Sequence, residues 1–298
     1  MRIWFNAARP RTLPAAVAPV LVGSAAAFAV AGELPRWGGF LAAMVASILI
    51  QIGTNLANDY SDAKRGADSA DRLGPVRVTS AGLVTPKRVL HATWLAFGLA
   101  GLIGIYLAWL AGPVILIVGA VSIAAGALYT GGPRPYGYAG LGEVFVFIFF
   151  GLVAVNGAYY VQLEALDAGA FGLSVSVGFL STAILVVNNS RDIDSDRRAG
   201  KNTLAVRIGR TRTRIAYSAC LALAAVALVL TLVLESGFEG SVAGIVAAPL
   251  GANAIVVVGR LCAPCVRVRC YVGVGRMDLR PAGAAVRRPL DLVAGFMG

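Results

Sequence analysis

One histidine and four cysteines are all that 298 residues offer to a soft metal, and only 14% of the chain is charged. His91 falls at a predicted helix start, and Cys262 and Cys265 have no second pair or histidine nearby, which argues against a zinc site. Cys220 lies inside an apolar run while Cys270 joins the other two near the end, so the cysteines form no disulfide framework. The scarcity of charge excludes more. Soluble domains carry about 25% charged residues, and a chain that is 58% hydrophobic cannot supply the polar surface that ordinary soluble domains of this length would need.

Acidic residues are few as well, 15 against 26 Lys and Arg, which leaves a formal charge of +11. Such an excess could serve a nucleic acid, but the basic residues fall in short gaps between apolar runs and form no single stripe. They read as topology signals, and no nucleic-acid partner is expected.

What the chain does have is long hydrophobic runs, near 13–31, 37–56, 89–110, 113–130, 141–161, 171–188, 215–234 and 242–259. Each is long enough to cross a bilayer. Lipid offers backbone groups no partner, so the runs are predicted to be helices. The basic start of the first run and its Ala29-Val30-Ala31 resemble a signal peptide, but similar runs follow throughout, and it is read as the first span. The expected fold is an all-α, polytopic bundle of eight visible spans over residues 1–259, with a basic tail at 260–298. With the N-terminus in the cytoplasm, 25 of the 26 Lys and Arg lie inside and one, Arg36, outside, as the positive-inside bias requires. Both termini and the two long gaps, 57–88 and 189–214, are then cytoplasmic.

Those gaps hold most of the carboxylates. The first begins in NLANDYSDAKRGADSADR, from Asn55 to Arg72, and the second in NNSRDIDSDRRAGKNTLAVRIG, from Asn188 to Gly209. On a helix Asn58 and Asp62 share a face, with Asn55 one turn earlier, and Asp192 and Asp196 share a face by the same offset of four. Hard oxygen ligands that leave room for phosphate oxygens suit Mg²⁺. Lys64, Arg65, Arg72 and Arg77 accompany the first cluster, and Arg191, Arg197, Arg198, Lys201 and Arg207 the second. A diphosphate leaving group needs both signs: carboxylates to hold metal ions, and cations to stabilise the charge that develops as its bond breaks. The competing account is that acids and bases at helix ends are interfacial ion pairs; two matched clusters after even-numbered spans weigh against it. As helix-end carboxylates at the membrane surface, Asp62 and Asp196 are expected to contribute little to packing, and Asp167, in a short outer loop without a partner motif, is expected to tolerate replacement by Ala.

These two segments and the opening ARPRTLPAAVAPVLVG resemble the UbiA superfamily of intramembrane prenyltransferases, over about residues 7 to 250. The likeness is greatest to its menaquinone-forming branch. That resemblance implies Mg²⁺ held through Asn58, Asp62, Asp192 and Asp196, with Asp59, Asp68 and Arg72 close by. It implies Asp59, Asp62, Asp192 and Asp196 as catalytic carboxylates, and Lys64, Arg65, Arg72, Arg191 and Lys201 as diphosphate ligands. The implied reaction ionises a polyprenyl diphosphate to an allylic cation. The electron-rich ring of 1,4-dihydroxy-2-naphthoate attacks it, and the ring carboxylate leaves as CO₂. Tyr60 could stabilise the cation by its ring face or anchor the helix at the interface. The family leads one to expect a ninth spanning helix, whereas residues beyond Arg260 form no run of spanning length. A basic tail against the anionic leaflet and a shifted reading frame both fit this. Other acceptors, such as 4-hydroxybenzoate or homogentisate, stay open. A transporter would bind its anion near the midplane through broken helices, while these charges sit at helix ends.

Overall fold

A computed structural model of the chain describes residues 2–66 and 77–234, which belong to one compact unit. The described residues form helices joined by short turns and contain no strand. Helix α1 (Arg2–Ala8) leads through a 3-10 turn into α2 (Leu13–Ala31), followed by α3 (Trp37–Lys64), α4 (Pro86–Ala111) and α5 (Val114–Leu128). Helix α6 (Gly142–Val146), a π-helical segment (Phe147–Val153) and α7 (Ala154–Leu163) make one continuous span, and α8 (Ala168–Arg198) and α9 (Leu204–Leu234) complete the described part. Six stretches are long and apolar enough to cross a bilayer, and Val114–Leu128 is a shorter apolar helix. These seven match the first seven hydrophobic runs. The eighth, 242–259, the tail 260–298 with Cys262, Cys265 and Cys270, and Asp68, Asp71 and Arg72 lie outside the described residues.

Local chemistry sets the helix ends. Pro86 opens α4, where its missing N–H would have had no helical partner. Gly32 closes α2 in the left-handed region, φ 77°, and donates its N–H to Phe28 O at 2.9 Å, a conformation that costs glycine little. Asp167 caps α8 by accepting the Ala170 N–H at 2.9 Å, so the outer turn does give this carboxylate a structural role.

Small residues let the helices close up. A Cβ on Gly151 would sit 2.5 Å from the Cα of Gly178, so the π segment and α8 meet backbone to backbone. One buried cluster joins α2, α7 and α8 through Val22, Val155, Tyr159, Leu173 and Val177, and a second joins α3, α4, α5 and α7 through Ala46, Leu107, Ile115 and Val161.

Part of the first stretch read as a loop, and most of the second, is helical. Helix α3 continues to Lys64, and α8 runs to Arg198 before α9 restarts at Leu204, with a kink at Gly209. Hydropathy marks only the part of a helix that lipid surrounds; packing carries α3 further, because Leu56 is buried with Ala7, Val78 and Val89. At one end of the bundle the α2–α3 turn is clasped to α7. The Arg36 N–H donates to Gln162 Oε1 at 2.9 Å, Gln162 Nε2 donates to Arg36 O at 3.2 Å, and the Arg36 guanidinium pairs with Glu164. The segments 77–85, 129–141 and 199–203 gather at the other end. There the Asn202 N–H donates to Tyr138 O at 3.0 Å, and Arg65 donates to the carbonyls of Thr130 and Gly132.

Candidate active site

A cavity of about 1100 Å³ opens among α2, α3, α5, the π segment, α7 and α8. Much of its wall is apolar, including Val20, Leu116, Ile123, Phe149, Phe150 and Val153, whereas Asn58, Asp62, Asp192, Asp196, Arg77 and Lys201 bring polar groups to it. Phe145, Phe149, Val153, Gly157 and Val161 all line it, four residues apart. In a pure α-helix each step of four overshoots a full turn by about 40° and the stripe would drift off the cavity; the wider turns of the π segment wind it back. Three rings stack along this wall, Tyr136 on Phe145 at 3.9 Å and Phe145 on Phe149 at 6.0 Å between centroids.

Asp62 is the centre of the polar end and is 0% exposed. Its Oδ2 accepts from Arg77 Nη2 at 2.7 Å and Lys201 Nζ at 2.8 Å, and its Oδ1 accepts from the Tyr138 hydroxyl at 2.5 Å. Burial, and then the Asp62 carboxylate beside it, push the Tyr138 phenol well above its ordinary range, so it stays a neutral donor. Lys201 and Arg65 also lie over the Tyr138 ring, at 4.9 and 5.5 Å from its centroid.

Helix α8 supplies the opposing group. Asp192 is bound by its neighbour Arg191, Nε to Oδ1 at 2.7 Å and Nη2 to Oδ2 at 2.8 Å, and Asp196 lines the cavity one turn further on. Asn58 Oδ1 accepts from Thr130 Oγ1 at 2.7 Å, which occupies one of its two lone pairs. Asp194 lies half a turn away on α8, exposed and paired with Arg210 at 2.6 Å.

The structure thus brings Asn58, Asp62, Asp192, Asp196, Arg191 and Lys201 to one cavity. It does not bring Asp59, Tyr60, Lys64 or Arg65 there. On α3, Tyr60 and Lys64 point roughly 160° away from Asp62, and both line a separate small pocket with Thr79 and Pro86. Asp59, 2% exposed, accepts the N–H groups of Val78 at 2.9 Å and Thr79 at 3.0 Å. It holds the turn that delivers Arg77 to Asp62. Three groups carried no sequence signal as single residues: Tyr138, Thr130 and the buried Glu143, whose Oε1 accepts from Asn189 Nδ2 at 2.9 Å. A run with three tyrosines between Tyr129 and Tyr138, at the motif end of the bundle, is the pattern that could have pointed to them.

The oxygen donors fit a hard divalent cation shared with a ligand. Among the described residues no three His, Cys, Asp or Glu side chains converge to hold a metal unaided. Mg²⁺ asks for less, one or two carboxylates with waters and substrate phosphates completing its octahedron.

Residues 16–271 match the UbiA prenyltransferase family. The chain is 48% identical over 251 residues to the 1,4-dihydroxy-2-naphthoate octaprenyltransferase of Mycobacterium tuberculosis, covering 84% of each chain. It is 41% identical over 230 residues to the enzyme of the same name from Escherichia coli, covering 73% of this chain and 72% of that one. A UbiA homolog from Archaeoglobus fulgidus, solved with DMAPP and Mg²⁺, superposes with a TM-score of 0.60 at 14% identity over 85% of both chains.

Proposed function

Because the chain belongs to the UbiA prenyltransferase family, we propose that it transfers a polyprenyl group from its diphosphate to 1,4-dihydroxy-2-naphthoate, with Mg²⁺. The observation that carries this reading is the meeting of two oxygen-rich helix ends, with Arg77, Arg191 and Lys201, on one cavity whose remaining wall is largely apolar. The names of the 48% and 41% identical relatives support the choice of acceptor.

Asn58 and Asp62 on α3, and Asp192 and Asp196 on α8, are the residues that would hold Mg²⁺, which when bound supplies positive charge to the diphosphate oxygens. Arg77, Lys201 and Arg191 already neutralise the carboxylates they touch. An arriving diphosphate competes for these cations, and they stabilise its charge as the C–O bond breaks. Arg72 is assigned to the same task from its place in the motif alone. The rings of Tyr136, Phe145 and Phe149 line the cavity where an allylic cation and its tail would lie. The apolar walls exclude water that would otherwise capture the cation. The ring carbon then takes up the prenyl group, and the carboxylate departs as CO₂.

Membranes containing the protein, given a labelled polyprenyl diphosphate and a panel of aromatic acids, should form prenylated product from 1,4-dihydroxy-2-naphthoate and only with Mg²⁺. Product from 4-hydroxybenzoate or homogentisate instead would refute the acceptor, and product formed equally with chelator would refute the metal.

The N-terminus and the motif-bearing end face the cytoplasm in this reading, because Arg36 alone of the 26 basic residues then lies outside. In a background without cysteine, Asn202→Cys should react with an impermeant thiol reagent only from the cytoplasmic side and Leu166→Cys only from the other. The reverse labelling pattern would overturn the orientation.

A further inference from the structure

The two motif helices repeat one spacing. On α3 it is Asn55, Asn58, Asp62, and on α8 it is Asn189, Asp192, Asp196, with intervals of three and four in both. The first member of each set therefore lies about one turn, roughly 4.5 Å, further from the motif end than the second. Both asparagines line the cavity. Both are tethered through nitrogen: Asn55 Nδ2 donates to Ala8 O at 3.0 Å and Thr12 Oγ1 at 2.9 Å, and Asn189 Nδ2 donates to Glu143 Oε1 at 2.9 Å.

Glu143 has no part in the chemistry derived above. It is 8% exposed, its Oε2 is a buried atom without a hydrogen-bond partner, and such an arrangement is costly enough to need a reason. The reason lies in the bond it does make. Glu143 Oε1 accepts from Asn189 Nδ2, which turns Asn189 Oδ1 away from Glu143. Glu143 thus fixes Asn189 with its carbonyl oxygen as the group left to accept a hydrogen bond from a ligand.

A polyprenyl diphosphate offers that oxygen nothing, since its tail has no polar hydrogen and its head is anionic. A phenolic hydroxyl does offer a hydrogen. Accepting it orients the ring and leaves more electron density on the carbon that attacks. Resting on the acceptor class proposed above, we propose that Asn189 Oδ1 accepts a hydrogen bond from a ring hydroxyl of the aromatic acceptor, and that Glu143 is the positioning residue that holds the amide in the required orientation.

The test is steady-state kinetics on purified protein with each substrate varied in turn, folding being checked by thermal unfolding in detergent. Asn189→Ala and Glu143→Ala should each raise KM for 1,4-dihydroxy-2-naphthoate roughly tenfold, as loss of a ground-state contact does, with KM for polyprenyl diphosphate and for Mg²⁺ within twofold of wild type. Glu143→Gln, which keeps an acceptor oxygen, should return the acceptor KM to within about threefold. The 1,4-dimethoxy analogue, which has no hydrogen to donate, should inhibit wild type and Asn189→Ala equally. A rise in the diphosphate or Mg²⁺ KM with the acceptor KM unmoved would overturn the assignment, as would unequal inhibition by the dimethoxy analogue. If wild type prenylates a different phenolic acid and not 1,4-dihydroxy-2-naphthoate, the acceptor identity falls. The same KM comparison with that acid then decides the role of Asn189 separately.

Discussion

Replacing Asp196 by Ala is expected to lower prenyl transfer at least about 100-fold, close to 3 kcal/mol of barrier, at saturating Mg²⁺. The side chain lines the cavity with Asp62 and is half-buried, so its loss removes a carboxylate from the cavity without opening the core. Asp62→Ala should lose as much activity, but for two reasons at once. Its carboxylate is buried and bound by Arg77, Lys201 and Tyr138. Truncation takes the Asp62 carboxylate from two buried cations, and breaking a buried ion pair typically costs about 3–5 kcal/mol of stability. The expectation that helix-end carboxylates here matter little to packing therefore fails for Asp62, which is fully buried, while Asp196 is only half-buried. The matched control is Asp194, exposed on the other side of α8 and paired only at the surface with Arg210; its Ala variant should keep near-normal rates. Asp167 is unsuited to that purpose, since removing a helix cap costs about 1 kcal/mol. The measurement is turnover per folded protein. Near-normal turnover of Asp196→Ala, or equal loss in Asp194→Ala, would defeat the metal assignment.

Asp59→Ala should act through the fold. Two N–H groups of the 77–85 turn lose a buried anionic acceptor, a loss of about 1.5–3 kcal/mol for each bond. The unfolding midpoint in detergent should fall by an amount on the order of 10 °C, and Arg77, set free of its fixed approach to Asp62, should leave a reduced but measurable rate at low temperature. Asp59→Asn keeps one acceptor oxygen and should lie between. An unchanged midpoint together with abolished turnover would mean that Asp59 meets the substrate directly, contrary to its place behind the cavity wall.

How much of this could be read beforehand depended on what each residue answers to. The seven described spans were legible because lipid imposes one requirement on a whole run, and Ala, Val and Leu report it in bulk. Asn58 with Asp62 and Asp192 with Asp196 were legible because an offset of four on a helix is a local property. The same periodicity, carried one step further, would have turned Tyr60 and Lys64 off the cavity, since they lie nearly half a turn from Asp62. The partners of Asp59 were not legible, because its sequence neighbours say nothing of Val78 and Thr79, whose N–H groups it binds. Tyr138 and Glu143 were missed for a related reason: their partners, Asp62 and Asn189, lie 76 and 46 residues away. The chain beyond 56 and 188 was read as loop because charged residues end an apolar run without ending a helix.

The three groups that meet at Asp62 come from positions 15, 76 and 139 residues further along the chain. During synthesis the carboxylate is made first and its partners follow one by one, with Lys201 emerging last. Until then a charged group that the finished protein buries completely has to wait at the membrane surface in water. Contacts of such long range are slow to form, because the intervening chain must be ordered before they are rewarded. The centre of the site therefore cannot be complete before Lys201 is made, and no shortened chain ending before Lys201 could contain it.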